Sequence, residues 1–227
     1  MNILSQVYDE LLGDKEGTVL YANFINKHRV AGALLECACG SGNLLALLSQ
    51  KDNNTIGIDL DEQMIQLAKE KYSLAVQQQD MLKLDGLSNF STVVCVGDSI
   101  NYLSSISDVK IFFSEVFCHL EKDGVFIFDI HNLDRLEEFK EEYIEEGLFS
   151  LGEYQWRILS SNQQLLHQFI FYIDERVHIE NIVQQVFDPQ EIIDLLNSFS
   201  VSFEIYTDFD LEGIQQGEKL FFIVRRK

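Results

Sequence analysis

Basic residues are scarce in this sequence: 17 Lys and Arg face 37 Asp and Glu, a formal charge of -20. A field of that sign opposes phosphate backbones and acidic membrane surfaces, and it favours cations within the roughly 10 Å that salt permits. Nucleic acid is therefore a disfavoured partner. There is no run of about 18 uncharged apolar residues, so no membrane span is expected. The opening residues reach Tyr8-Asp9-Glu10 without a basic stretch and apolar core, so the expectation is a cytoplasmic protein. Cysteine is sparse too. Cys37, Cys39, Cys95 and Cys118 make neither a CxxC pair nor a disulfide framework, and no Cys/His cluster at zinc spacing follows Cys37 and Cys39. Buried reduced thiols and no metal are expected.

What is present is apolar and periodic. Hydrophobic residues make up 46% of 227, enough to bury the core of one α/β domain with an elaboration. Residues 1–30 read as two short helices, the first burying Val7, Leu11 and Leu12, the second Val19, Leu20, Phe24 and Ile25. Strands then alternate with helices. Residues 33–38, 55–59, a short segment before Asp80, 92–96 and 125–130 read as strands, and 61–72 and the stretch from Val109 to Leu120 as helices. This order predicts a Rossmann-like, doubly wound α/β sheet of seven strands, with Val201–Tyr206 and Leu220–Val224 forming an antiparallel edge.

From about residue 133 the alternation stops. Leu136–Glu146 reads as an acidic, solvated helix, and Tyr154–Ile158, Phe169–Ile173 and Val177–Glu180 as antiparallel strands of a β insertion. The lone proline, Pro189, follows a capping Asp188 and opens a helix. Residues 1–132 with 188–227 are expected to form the core, and 133–187 a cover over one end of the sheet.

Gly40-Ser41-Gly42 lies between the first strand and the next helix, where missing Cβ atoms let backbone approach a ligand. A dinucleotide fingerprint would put a small residue at position 45; Leu45 argues against a nicotinamide or flavin cofactor. Leu35-Glu36-Cys37-Ala38-Cys39-Gly40-Ser41-Gly42 instead resembles the first motif of class I S-adenosylmethionine-dependent methyltransferases. Gly57-Ile58-Asp59-Leu60-Asp61, Gln79-Asp80-Met81 and Gly97-Asp98-Ser99-Ile100-Asn101-Tyr102 follow in the family's order. The resemblance covers residues 33–132 well and the remainder in outline.

The resemblance implies S-adenosylmethionine as cofactor, with Gly40 and Gly42 beneath its methionine portion, Glu36 beside that loop, and Gly97 near the ammonium group. Asp59 would accept from both ribose hydroxyls, using two oxygens. Asp80 would take the adenine amino group, the Met81 backbone a ring nitrogen, and Leu60 the adenine face. Tyr8 and Tyr21 resemble N-terminal aromatics that fold over the cofactor in small-molecule members. Ala38 departs from the pattern, standing where many members have glycine; ordinary dihedrals would accommodate it.

A sulfonium is already activated, so placing the acceptor in line with the S–CH3 bond is the main requirement. If a base is needed, His131 after the fifth strand is the candidate, against a reading as a solvated loop histidine. Arg176 and His178, with Glu180, share one strand face and are candidates for a polar or carboxylate-bearing substrate, against a reading as the wet side of a hairpin. The favoured expectation is methyl transfer to a small molecule. An RNA methyltransferase would need a basic stripe joining Lys27, Arg29 and Arg225-Arg226-Lys227, and a non-catalytic cofactor-binding protein would lack room for an acceptor. The sequence carries no readable signal for oligomeric state.

Overall fold

The computed structural model describes residues 3–50 and 54–227. Helices α1 (Ile3–Leu11) and α2 (Lys15–His28) precede the sheet. Strands β1 (Leu34–Cys37), β2 (Thr55–Asp59), β3 (Val76–Gln78), β4 (Phe90–Cys95) and β5 (Leu120–His131) alternate with α3 (Asn43–Ser49), α4 (Glu62–Tyr72) and α5 (Ile106–His119). Side-chain caps fix where helices start: Asp14 accepts from Gly17 N–H, Asp61 from Gln63 N–H and Ser105 from Asp108 N–H.

Beyond β5 come α6 (Asp134–Glu138), β6 (Tyr143–Phe149), β7 (Gly152–Ser161), β8 (Gln164–Ile173) and β9 (Arg176–Gln185). Then α7 (Pro189–Asn197), capped by Asp188 as expected, leads into β10 (Val201–Thr207), β11 (Leu211–Glu212) and β12 (Lys219–Arg226). The main sheet has the order β11-β10-β12-β5-β4-β1-β2-β3 among the described residues. β1 to β5 are parallel, and β12 runs antiparallel between β5 and β10. The seven expected strands are all there; the two-residue β11 extends the edge. Strands β6 to β9 form a separate antiparallel meander.

The sheet is covered on both faces. Phe112, Phe113 and Val116 of α5 and Ile192 and Leu196 of α7 pack on one side with Phe126, Phe128 and Phe222. Ile25 of α2, Leu45 and Leu48 of α3 and Ile65 and Ala68 of α4 pack on the other. Fully burying such side chains contributes about 1.5–3 kcal/mol each. Cys37, Cys39 and Cys95 belong to these cores as free thiols whose pKa burial pushes up. No helix among the described residues is long and apolar enough to cross a membrane.

The expected acidic helix over Leu136–Glu146 is corrected: only Asp134–Glu138 is helical, and Tyr143–Phe149 is a strand. A helix would have stacked Glu137 on Glu141, Glu138 on Glu142, Glu141 on Glu145 and Glu142 on Glu146, each a like-charge i,i+4 pair. As a strand the segment pairs with β7 from Tyr143↔Ile158 to Phe149↔Gly152. Strand β5 also begins earlier than expected, at Leu120. Lys122-Asp123-Gly124 interrupts its regular pairing, with a left-handed Asp123 and a register shift against β4.

Candidate active site

Every parallel strand points its carboxyl end at one rim of the sheet, where a cleft of about 710 Å³ opens. Its floor is the loop after β1. Ala38, Gly40 and Gly42 all adopt left-handed backbone, with φ of 55°, 53° and 79°. A Cβ added to Gly40 or Gly97 would meet no described atom within 4 Å, so both glycines present bare backbone to open space. Gly42 has another role: its Cα faces Leu74 and Ala68 at distances that leave no room for a methyl group. The dihedrals at Ala38 are therefore not the ordinary ones that would accommodate its methyl group, and left-handed backbone costs a residue with a Cβ about 1–2 kcal/mol.

Asp59, at the end of β2, holds this loop. Its Oδ2 accepts from Gly40 N–H at 2.8 Å and its Oδ1 from Asp61 N–H at 2.9 Å, leaving further lone pairs toward the cleft it lines. Burial raises its pKa, and the two backbone hydrogen bonds oppose that rise. Glu36, 4% exposed, sits deeper in the same wall. Its Oε2 is buried with no hydrogen-bond partner among the described residues, and burial, then the neighbouring Asp59, push its carboxyl well up.

Leu60 stands at the mouth, 69% exposed although large and apolar, with its carbonyl tied to Gln78 Nε2 at 3.0 Å. Asp80 and Met81 line the cleft nearby, and Asp80 Oδ1 accepts from Leu82 N–H at 2.9 Å. The ten residues expected at the cofactor are thus on or beside one cleft, Gly42 supporting it from behind.

The opposite wall comes from the N-terminal helices. Tyr8 and Tyr21 line the cleft, and burial raises both hydroxyl pKa values. Asp9 locks α1 to the glycine loop: Ser41 Oγ donates to it at 2.6 Å, Asn43 Nδ2 at 2.8 Å and Lys71 Nζ at 2.6 Å. Burial alone would raise the Asp9 pKa, but these partners outweigh it and hold the carboxyl low. On the far side of α1, Leu4 and Val7 pack on Phe149, Phe169 and Phe171 of the meander, and Glu180 accepts from Ile3 and Leu4 N–H at 2.6 and 3.2 Å. One helix therefore touches both the loop and the β6–β9 meander.

Beneath Gly97 lies a charged cluster that the sequence reading missed. Asp129, fully buried in β5, accepts from Gly97 and Asp98 N–H at 3.1 Å each and from the Tyr21 hydroxyl at 2.9 Å. Lys219 of β12 lies 3.8 Å from Asp129 and forms an ion pair with Asp98. Burial acts against the charge on each; Lys219 nevertheless holds Asp98 low, while Asp98 and Asp129 hold Lys219 high. The available signal was an acid inside the apolar run Phe126-Ile127-Phe128-Asp129-Ile130, since a doubly covered strand buries a carboxylate only with partners. Its partner Lys219 comes from a pairing more than 80 residues away.

His131 is not a solvated loop residue. It ends β5 at 3% exposed, behind the cleft wall, with its N–H donated to Asn101 Oδ1 at 3.1 Å. Arg176 and His178 are exposed on β9, and neither lines the cleft; their neighbour Ile182 does. Trp156 packs in the meander, stacked on Phe169 with ring centroids 5.3 Å apart.

Residues 34–124 match the sequence profile of a family described as a methyltransferase domain. The chain is 29% identical to "Putative methyltransferase YqeM" of Bacillus subtilis (strain 168) over 235 residues, covering 96% of this chain and 94% of that one. Among solved structures, an S-adenosylmethionine-dependent methyltransferase from Clostridium acetobutylicum superposes with a TM-score of 0.84 at 22% identity, covering 99% of this chain and 98% of that one. CalS10 of Micromonospora echinaspora, an amino pentose methyltransferase solved with S-adenosylmethionine bound, gives 0.75 at 17% identity, covering 100% and 98%.

Proposed function

The chain belongs to the class I S-adenosylmethionine-dependent methyltransferase family, and from that premise we propose that it methylates a small molecule held between the glycine loop and the β6–β9 meander. The observation that carries the reading is the cleft itself: bare backbone at Gly40 and Gly97 facing open space, beside a buried Glu36 oxygen without a hydrogen-bond partner among the described residues. These features fit a ligand that brings its own hydrogen-bond donors and a positive charge. S-adenosylmethionine supplies a methyl group already activated on a sulfonium.

The chain's own residues then have distinct tasks. Glu36, Gly40 and Gly97 receive the methionine end, Asp59 the ribose hydroxyls, and Leu60, Asp80 and Met81 the adenine. Tyr8 and Tyr21 close over the donor from α1 and α2 and shut out water. Tyr102, Leu103 and Ile182 line the rest of the cleft and bound the space left for an acceptor. Orienting the two reactants is the main contribution, since well-placed intramolecular reactions gain about 7–11 kcal/mol over encounters in solution.

A small acceptor is favoured over RNA because, among the described residues, three of the basic side chains that such a stripe would need are engaged within the fold. Arg29 spends its guanidinium on the Leu48 carbonyl at 3.4 Å, Arg226 on the Leu120 carbonyl, and Lys27 lies over the Tyr206 ring. CalS10 acts on an amino pentose, in keeping with an acceptor of that size. The test is incubation of the protein with a metabolite extract and methyl-labelled S-adenosylmethionine, followed by mass identification of the labelled product. A labelled small molecule supports the reading. Label in RNA, with none in the small-molecule fraction, overturns it.

A further inference from the structure

We propose, resting on the methyl-transfer reading above, that His131 Nδ1 is the atom that takes up the proton released by the acceptor, reached through Asp98 and set in place by Gln184 of the cover sheet. The argument is one of donors and acceptors. Trp156 Nε1 faces His167 Nδ1 at 3.3 Å, and an indole N–H only donates, so His167 Nδ1 accepts and its proton sits on Nε2. His167 stays neutral, because burial lowers its pKa to about 4. Its Nε2–H points at Gln184 Oε1, 3.0 Å away, which fixes the amide orientation.

Gln184 is 6% exposed and its amide also meets the Tyr102 hydroxyl. The same Oε1 lies 3.0 Å from His131 Nε2, so His131 must donate there too. This leaves His131 Nδ1 with its lone pair, buried, without a hydrogen-bond partner among the described residues and 3.4 Å from Asp98 Oδ1. A lone pair held against a carboxylate is repelled until a proton arrives; with the proton, the contact becomes an ion pair.

Asp98 stands between Gly97 and Ser99, both of which line the cleft, and its side chain is 25% exposed. As the acceptor's lone pair bonds to the methyl carbon, the C–S bonding pair returns to sulfur and the acceptor's X–H proton passes to the Asp98 carboxylate. Lys219 makes Asp98 too weak a base to keep it. The proton comes to rest on His131 Nδ1, leaving imidazolium against carboxylate. The groups facing this pair are Lys219 and Asp129 behind Asp98, His167 across Gln184, and Arg135 from α6. His131 acts through Asp98 and is a positioning residue.

Two measurements on the full chain test this. The first is long-range 15N–1H correlation on 15N-histidine-labelled protein, which reads tautomers directly. The expected result is a neutral His131 protonated on Nε2; a neutral Nδ1–H tautomer overturns the proposal whatever the variants do. The second is initial methylation rate against pH, using the acceptor found in the extract screen, for wild type, His131→Asn and Gln184→Leu. Wild-type kcat should fall as pH drops. His131→Asn should lose that limb and about 100-fold in kcat with the S-adenosylmethionine dissociation constant unchanged. Gln184→Leu should displace the limb. A limb retained by His131→Asn, or an acceptor with no proton to lose, overturns the relay alone. Failure of the wild type to bind S-adenosylmethionine instead overturns the methyl-transfer reading beneath it.

Discussion

Leu45 Cδ2 lies over the bare Cα of Gly57, so close that a Cβ added to Gly57 would stand 2.7 Å from it. Helix α3 thus approaches β2 through a glycine on the strand, where a dinucleotide fingerprint would put the small residue on the helix. Gly57→Ala should destabilise the fold by about 1–3 kcal/mol through overpacking against Leu45, Cys39 and Val76. Leu45→Ala in the same chain should recover part of that loss. Urea unfolding of the two single variants and the double variant checks it; strict additivity would contradict the contact.

Ala38→Gly should raise stability by up to about 1 kcal/mol. Relief of the left-handed alanine, about 1–2 kcal/mol, exceeds the extra chain entropy of glycine in the unfolded state, about 0.4–1 kcal/mol. Thermal unfolding reads the sign. A clear loss would mean that the loop does not hold Ala38 at φ 55°.

The parallel core is legible in the sequence because apolar residues dominate β1, β4 and the inner part of β5 and the helices between keep their own period, whereas β3, Val76-Gln77-Gln78, is marked only by its place before Asp80. The glycine loop, Asp59 and Asp80 were legible as local patterns at strand ends. What escaped depends on distant chain segments. Asp129 meets Lys219 only through the β5–β12 register, and Gln184 meets His131 and His167 only once the meander is docked. Tyr143–Phe149 misled because its charges resemble a solvated helix, whereas its pairing with β7 decides its state.

Removing the α1 lock should loosen the donor without unfolding the core. Asp9→Ala frees Ser41, Asn43 and Lys71 together, and the S-adenosylmethionine dissociation constant should rise about tenfold while the urea midpoint barely moves. The folded Asp9 pKa is depressed, so the lock is complete above the unfolded value of about 3.9 and is lost only as pH falls through the lower folded value. Titrations at pH 7 and pH 5 should give the same ratio of wild type to variant.

His167 should make the fold acid-sensitive in a higher window. Its folded pKa of about 4 lies below the unfolded value near 6.5, so the unfolded chain takes a proton first. Its contribution is full above about pH 6.5 and falls on acidification by up to about 1.4 kcal/mol per pH unit until the folded group also protonates. Between pH 7 and pH 5, wild type should lose about 2 kcal/mol more than His167→Gln. Equal losses in denaturant unfolding would contradict the buried neutral imidazole.

Calorimetric titration of S-adenosylmethionine into wild type and Asp59→Ala tests the central claim, that the donor lies on the glycine loop beside β2, most directly. Each charge-assisted hydrogen bond contributes about 1.5–3 kcal/mol, and Asp59 also holds Gly40 in place. Wild type should bind, and Asp59→Ala, folded by circular dichroism, should bind at least about tenfold more weakly. An unchanged dissociation constant in the folded variant would contradict the account.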